Sequence, residues 1–233
     1  MKIGILQTGR APEELRERHG DYDDMFRRFL GGRGFEFATY AVLDGVLPDN
    51  VHDADAWLIT GSKFGVYEGH DWIPPLETFL RGAYADSVPI VGICFGHQIL
   101  AQALGGKVEK FSGGWSVGLV DYALDGFPGG ARVLAWHQDQ VVVPPVDATV
   151  VGSTPFCRHA ALAYDDRAYS VQPHPEFDSQ FVVDLVAARR SILPEEVAER
   201  ALASLGPETS SKAISDRIAE FLVRKHRQKE PAS

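Results

Sequence analysis

The chain has 233 residues, of which 45% are hydrophobic and 24% charged, and these proportions suit one large α/β domain with an apolar core. Its formal net charge of -9 argues against a nucleic-acid partner, because phosphate binding depends on lysine and arginine. With two cysteines, no apolar run approaching about 20 residues and no secretory signal pattern, the sequence predicts a cytoplasmic protein without a disulfide framework or a membrane span.

Strands and helices alternate through residue 105. Short apolar runs predict buried strands, and apolar residues at helical spacing predict helices. In chain order the predicted elements are a strand at 2–8, a helix at 20–30, strands at 35–42 and 53–61, a helix at 74–85, a strand at 88–94 and a helix at 96–106. This alternation predicts an α/β fold whose mostly parallel sheet has helices on both faces, as in flavodoxin-like folds.

From Lys107 to Gln172 the pattern changes to short β runs separated by turn residues. These runs predict a small antiparallel extension of the parallel core. Helical spacing returns over 179–190, 194–205 and 211–226. We therefore expect residues 1–190 to form the main domain and residues 191–233 to form a C-terminal helical extension of that same domain.

The segment Gly92-Ile93-Cys94-Phe95-Gly96 lies where a predicted strand passes into a predicted helix. A residue at such a turn has a strained backbone, and small residues two positions before and after it relieve the crowding. The helix N-terminus favours a thiolate and offers amides to an oxyanion, so Cys94 is predicted to be a nucleophile. An isolated cysteine is more often a small buried hydrophobe, and that role is assigned to Cys157. His97, one turn into the helix, is predicted to be structural.

A histidine lies between two prolines in the segment Gln172-Pro173-His174-Pro175-Glu176. The prolines favour an extended backbone, in which residues two positions apart point to the same side. His174 and Glu176 can therefore approach each other, as a general base and the carboxylate that orients it. The alternative is a surface turn with an incidental histidine.

Together these two segments resemble the class-I (triad) glutamine amidotransferases, whose signatures are G-x-C-x-G-x-Q and H-P-E. The likeness covers most of residues 1–190, and it is to free-standing members related to the glutaminase domain of GMP synthase. The resemblance implies that Cys94 forms a γ-glutamyl thioester. It also implies that His174 acts as general base and acid, with Glu176 as its partner.

The resemblance also implies which residues surround the glutamine. Gly61 and Ser62 resemble the glycine-rich turn that forms the oxyanion hole together with the amide of Phe95. Many members carry two glycines at this turn, so Ser62 is a departure that leaves open which amide completes the hole. The implied substrate-binding residues are Gln98, His137, Gln138 and Asp139.

The implied chemistry is two-step acyl transfer, which needs no metal or organic cofactor, and the eight histidines show no ligand-like spacing. Three functions remain open. The first is a glutaminase or amidotransferase acting on glutamine, with or without a synthase partner that receives the ammonia. The second is a γ-glutamyl hydrolase or peptidase acting on small γ-glutamyl amines or peptides, and the third is a catalytically silent binding or regulatory protein. An α/β-hydrolase-type cysteine enzyme is disfavoured, because its acid precedes the histidine by many residues.

Two polar stretches, residues 8–22 and 62–72, are predicted to be loops that follow strands. Loops at the carboxyl ends of parallel strands surround the active crevice in this fold class, so we expect both to lie over Cys94. There they would select what is attached to the γ-glutamyl group, with Arg10 and Glu68 as candidates. The alternative is that they are solvated loops without a ligand role.

Overall fold

The structure, a computed structural model, describes residues 1–206 and 208–229. Its strands are β1 (Lys2–Leu6), β2 (Glu36–Tyr40), β3 (Ala56–Ile59), β4 (Ile90–Ile93), β5 (Lys107–Lys110), β6 (Ser116–Leu124), β7 (Ala131–His137), β8 (Asp139–Val143), β9 (Thr149–Ser153), β10 (Ala161–Tyr164) and β11 (Ala168–Val171). Its helices are α1 (Glu13–His19), α2 (Tyr22–Phe29), α3 (Ile73–Ala85), α4 (Phe95–Ala103), α5 (Ser179–Ala188), α6 (Glu195–Ser204) and α7 (Ser211–Lys229).

Within residues 1–206 and 208–229, nine strands form one mixed sheet in the order β2-β1-β3-β4-β11-β10-β9-β6-β7. The strands from β2 to β11 pair in parallel, and those from β11 onward pair antiparallel. A separate antiparallel pair joins β5 to β8. The predicted fold class is confirmed, since a mostly parallel core carries an antiparallel extension and C-terminal helices.

One strand belongs to a different part of the sheet from the one that its sequence pattern suggests. The run that includes β11 was predicted to lie in the antiparallel extension, but β11 pairs in parallel with β4, with Ala168 opposite Ile90. All four residues of β11 are buried, which is typical of a central parallel strand covered on both faces. A short apolar run looks the same in either setting, so local pattern could not separate the two.

The hairpin of β6 and β7 curls back towards the parallel strands. It joins the main sheet where Ala123 and Leu124 pair with β9, while the rest of β6 pairs with β7. Further along β7, the carbonyl of Leu134 accepts a 2.8 Å hydrogen bond from the amide of His174. The far end of the sheet therefore returns to the carboxyl ends of the central strands.

Helices cover both faces of the sheet. On one face α3 and α4 pack on Trp57, and Leu80 and Ile99 are fully buried there. On the other face α2 and α7 pack on the sheet, and Ile218 and Leu222 of α7 are also fully buried. Each such apolar side chain contributes about 1.5–3 kcal/mol by leaving water. The division of the chain at residue 190 stays a prediction.

The stretch 8–22 was predicted to be a loop, and this is wrong for its middle, which forms the short helix α1. Glu13 and Glu14 lie in its first turn and Arg16, Arg18 and His19 in its last, which matches the helix dipole. Leu15 is its buried residue. About two helical turns are too few for hydrophobic periodicity to stand out. Among the helices within the described part of the chain, none has the length and apolar character needed to span a bilayer.

Candidate active site

The reacting groups predicted from the sequence follow three neighbouring strands. β3, β4 and β11 lie side by side in the sheet, and Gly61, Cys94 and His174 come shortly after their respective carboxyl ends. A Cβ added at Gly61 would lie 2.8 Å from Cε1 of His174 and 3.8 Å from Cβ of Cys94. The three residues therefore meet at one point, and Gly61 has to lack a side chain there.

Cys94 lies in a strained turn between β4 and α4. Its backbone has φ 53° and ψ -104°, a left-handed conformation that costs a non-glycine residue roughly 1–3 kcal/mol. A Cβ at Gly92 would overlap the carbonyl oxygen of Gly96, and a Cβ at Gly96 would overlap that of Ile59. The two glycines thus let the chain turn sharply, and the turn aims the sulfur into the cavity described below.

His174 is held by a carboxylate on one side and an aromatic ring on its face. Its Nδ1 lies 2.7 Å from Oε1 of Glu176, and its ring stacks on Phe177 with centroids 4.1 Å apart. Burial alone would lower the pKa of His174. The negative charges of Cys94 and Glu176, together with hydrogen bonds to both, outweigh burial and raise that pKa to about 10. The imidazole is therefore suited to hold a proton beside a thiolate.

Gln172, whose role was not predicted from the sequence, connects the sulfur to Gln98 and Asp139 through hydrogen bonds. Gln172 is fully buried, and its Nε2 donates to Sγ of Cys94 at 3.6 Å. Its Oε1 accepts at 3.1 Å from Nε2 of Gln98, which also donates to the carbonyl of Asp139 at 2.9 Å. The sequence did contain a signal for this role of Gln172. A polar residue directly after a buried strand is expected to need a hydrogen-bond partner inside the protein.

A cavity of about 410 Å³ opens at the sulfur. Both stretches expected to lie over Cys94 contribute to it, residues 8–22 through Arg10, Pro12 and Tyr22, and residues 62–72 through residues 62–65, 67 and 68. The predicted substrate-binding residues Gln98, His137, Gln138 and Asp139 also line it. Cavities of roughly 300–1,000 Å³ hold drug-sized ligands, so this one has room beyond a single free amino acid.

One end of the cavity carries polar groups of both charge signs. Asp139, Glu68 and Lys110 line it, and the Tyr67 hydroxyl donates to Oδ2 of Asp139 at 2.9 Å. Burial raises the pKa of the Asp139 carboxyl, while the hydrogen bond from Tyr67 lowers it. Such a mixture suits the ammonium and carboxylate of an α-amino acid. We call these residues, with Gln98, the polar end.

The other predicted residues differ in how directly they reach the cavity. Ser62 lines it, whereas Phe95 is buried at the start of α4. His137 is buried, and among the described contacts neither of its ring nitrogens has a hydrogen-bond partner. Burial lowers the pKa of His137 to about 3, so its ring is neutral. His97 is also fully buried, with Nδ1 2.8 Å from the Ser170 hydroxyl, and burial lowers its pKa to about 3.

The second cysteine has a different environment from the first. Cys157 is buried, and burial raises the pKa of its thiol to about 12, so it stays protonated. Both cysteines are free thiols. Within residues 1–206 and 208–229, no group of three or more histidine, cysteine or acidic side chains could hold a metal ion.

Comparison with known proteins identifies related chains. Residues 53–181 match the family model for class-I glutamine amidotransferases. Gamma-glutamyl peptidase 2 of Arabidopsis thaliana is 26% identical over 218 residues, which cover 88% of each chain. One subunit of the glutamine-hydrolysing GMP synthase of Halobacterium salinarum is 32% identical over 168 residues, which are 69% of this chain and 86% of that one.

Solved structures agree in fold. A glutamine amido transferase from Methylobacillus flagellatus matches with a TM-score of 0.76 at 22% identity, over 97% of this chain and 94% of that one. At that level of identity the likeness concerns the fold, and it extends over nearly the whole chain.

Proposed function

The chain belongs to the class-I glutamine amidotransferase family, and we propose that it hydrolyses γ-glutamyl amide bonds through a thioester on Cys94. One observation carries this proposal. The strained cysteine opens into a cavity beside His174, whose Nδ1 lies 2.7 Å from Glu176. A nucleophile, a base and a group that orients the base form the arrangement that nucleophilic acyl transfer requires.

The first half of the reaction makes the thioester. The thiolate of Cys94 attacks the Cδ carbonyl carbon, and the oxyanion is stabilised by the amide of Phe95 and an amide of the Gly61–Ser62 turn. The C–N bond then breaks, and its electron pair goes to nitrogen, which takes the proton held by His174. Ammonia or an amine leaves, and the glutamyl group stays on sulfur.

The second half returns the enzyme to its starting state. Water attacks the thioester carbon and gives a proton to His174, and the C–S bond breaks to release glutamate and the thiolate. The net change is the addition of one water across the amide bond. Glu176 holds Nδ1 throughout, so that the other ring nitrogen faces the reacting atoms.

Two substrate types fit this chemistry. Free glutamine is one, with a synthase partner as the acceptor of ammonia, and the similarity to the GMP synthase chain of Halobacterium salinarum favours it. A larger γ-glutamyl compound is the other, favoured by the cavity volume and by the similarity to gamma-glutamyl peptidases along most of the chain. We also propose a cytoplasmic location, which suits two free thiols, one of them a nucleophile.

The test is release of glutamate from a panel of L-glutamine and γ-glutamyl peptides, measured with the purified chain and no partner protein. We expect release from at least one compound, loss of that release in Cys94→Ser, and retention of it in the matched control Cys157→Ser. Absence of glutamate from every compound, or equal release by Cys94→Ser, would contradict the proposal.

A further inference from the structure

The cavity at Cys94 has a second end whose chemistry differs from that of the polar end. Tyr22, Trp115, Phe177, Leu185 and Arg189 line it. Four of these side chains are aromatic or aliphatic, and the fifth is a cation. The α-amino acid group of glutamine would occupy the polar end and would not contact this second surface. The second surface therefore indicates a further part of the substrate.

This second end lies on the side from which the leaving group departs. The group that protonates the leaving nitrogen must stand next to it, and in the proposed reaction that group is His174. Phe177 stacks on the His174 ring, and the ring of Tyr22 lies 6.0 Å from that of Phe177. Burial raises the pKa of Tyr22, and the charges of Cys94 and Glu176 raise it further.

The walls of this end suit an apolar group. Leu185 is buried, Trp115 meets Trp136 edge to face with centroids 6.4 Å apart, and both tryptophans line the cavity. At the mouth Ile192 is 54% exposed although it also lines the cavity. Covering such a side chain with an apolar ligand removes it from water, which favours binding.

Two arginines line the cavity, but their environments differ. Arg10 is paired with Asp44 and also lies 4.0 Å from Asp21, so its charge is already compensated. Arg189 approaches Glu14 at 3.8 Å and the Ala188 carbonyl at 3.3 Å, and both contacts use Nη1. The described contacts therefore leave the other nitrogens of the Arg189 guanidinium able to donate to a ligand. A guanidinium can bind a carboxylate through two parallel hydrogen bonds.

We propose that this end of the cavity, the leaving-group subsite, binds the amine half of a γ-glutamyl α-amino acid whose side chain is apolar. Arg189 pairs with the α-carboxylate, and Trp115 and Leu185 contact the side chain. The inference rests on the proposed function and names its substrate class. A γ-glutamyl polyamine would bring a cation to Arg189, and glutamine would leave the subsite empty.

The experiment compares kcat/KM for γ-L-glutamyl-L-phenylalanine with that for γ-L-glutamyl-phenethylamide, which keeps the ring and lacks the carboxylate. L-Glutamine is the third substrate. We expect the phenylalanine compound to exceed the phenethylamide by about 10-fold or more, the effect of one hydrogen-bonded ion pair, and to exceed glutamine as well.

Two variants assign the preference to its residue. Arg189→Gln should bring the ratio between phenylalanine compound and phenethylamide close to one. Arg190→Gln is the matched control, since Arg190 pairs with Glu195 and is not among the residues that line the cavity in the described part of the chain. This control should keep the wild-type ratio.

The outcomes separate the two proposals. A wild-type ratio near one, a ratio that survives in Arg189→Gln, or a preference for glutamine would overturn the leaving-group subsite while leaving γ-glutamyl hydrolysis intact. Release of glutamate from none of these three compounds and from no other member of the panel would overturn both. The wild-type ratio does not depend on any variant, so a folding defect in Arg189→Gln cannot rescue the proposal.

Discussion

The parallel and antiparallel parts of the molecule contribute different things to one cavity. The ends of β3, β4 and β11 supply Gly61, Cys94 and His174, which lie close together and are buried. The returning hairpin and the start of β8 supply a wall that includes Trp136 and Asp139. The reacting groups are positioned by backbone topology, whereas the wall is built from side chains on separate segments.

Substitutions in the two parts should therefore have different effects. Changes at the ends of the parallel strands should alter the chemical step, because in the proposed reaction those residues contact the reacting atoms. Changes in the wall should alter substrate binding and leave the thiol as reactive as before.

The largest loss is expected from His174→Ala. In the proposed reaction His174 gives a proton to the leaving nitrogen and takes one from water, so without it kcat/KM should fall by at least about 100-fold and up to about 10⁴-fold. Steady-state hydrolysis of the best substrate from the panel measures it. His97→Gln is the control, and a greater loss there than in His174→Ala would mean that the base is wrongly assigned.

Glu176→Gln should move the pH profile as well as lower the rate. The pKa of His174 is raised to about 10, so the protonated acid persists up to that pH and is lost above it. Without the carboxylate charge the pKa falls, and the alkaline limb of kcat/KM should move down by about one pH unit or more. An unchanged alkaline limb would show that Glu176 does not act on the charge of His174.

Gln172→Met should make the sulfur a weaker thiolate. It removes the N–H that Gln172 donates to Sγ at 3.6 Å, and a hydrogen bond to a charged group contributes about 1.5–3 kcal/mol. Alkylation of Cys94 by iodoacetamide near neutral pH should slow about 10-fold. Gln102→Met is the matched control on the neighbouring helix α4, because Gln102 bonds Val66 and Glu77 instead, and it should alkylate like the wild type.

The smallest effect is expected from Tyr67→Phe, which removes the hydroxyl that bonds Asp139 of the wall. Tyr67 is 49% exposed and its hydroxyl donates to the Asp139 carboxylate. The substitution removes that hydrogen bond and leaves the surroundings of the Cys94 sulfur unchanged. KM should rise roughly 2- to 10-fold while kcat and iodoacetamide reactivity stay unchanged. Tyr40→Phe in β2 should change none of these. A fall in kcat equal to the rise in KM would show that the wall affects the chemical step as well as substrate binding.

Local sequence was sufficient for the features that depend on neighbours in the chain. The turn at Cys94 needs small residues at Gly92 and Gly96, where any Cβ would strike backbone. The closeness of His174 and Glu176 was also predicted from the sequence, although the extended backbone expected there is wrong, because residues 175 and 176 form a turn in which the Phe177 amide donates to the His174 carbonyl at 3.3 Å. Both are visible in a few consecutive residues.

Features that join distant segments were not visible in this way. The parallel pairing of β11 with β4, and the return of β7 to the amide of His174, depend on the whole fold. The bond from Gln172 to Cys94 depends on that same pairing, because it requires the ends of β4 and β11 to be neighbours. The position of Arg189 at the cavity was not visible in the sequence either. It depends on the packing of α5 beside α1, and no local motif marks it.

In the proposed reaction Cys94 carries the glutamyl group between two chemical steps. The most direct measurement is a single-turnover reaction quenched in acid, followed by mass spectrometry of the digested chain. We predict a mass increase of one glutamyl group on the peptide that contains Cys94, and none on the peptide that contains Cys157. A glutamyl adduct on Cys157, or no adduct on Cys94 together with undiminished hydrolysis by Cys94→Ala, would contradict this mechanism.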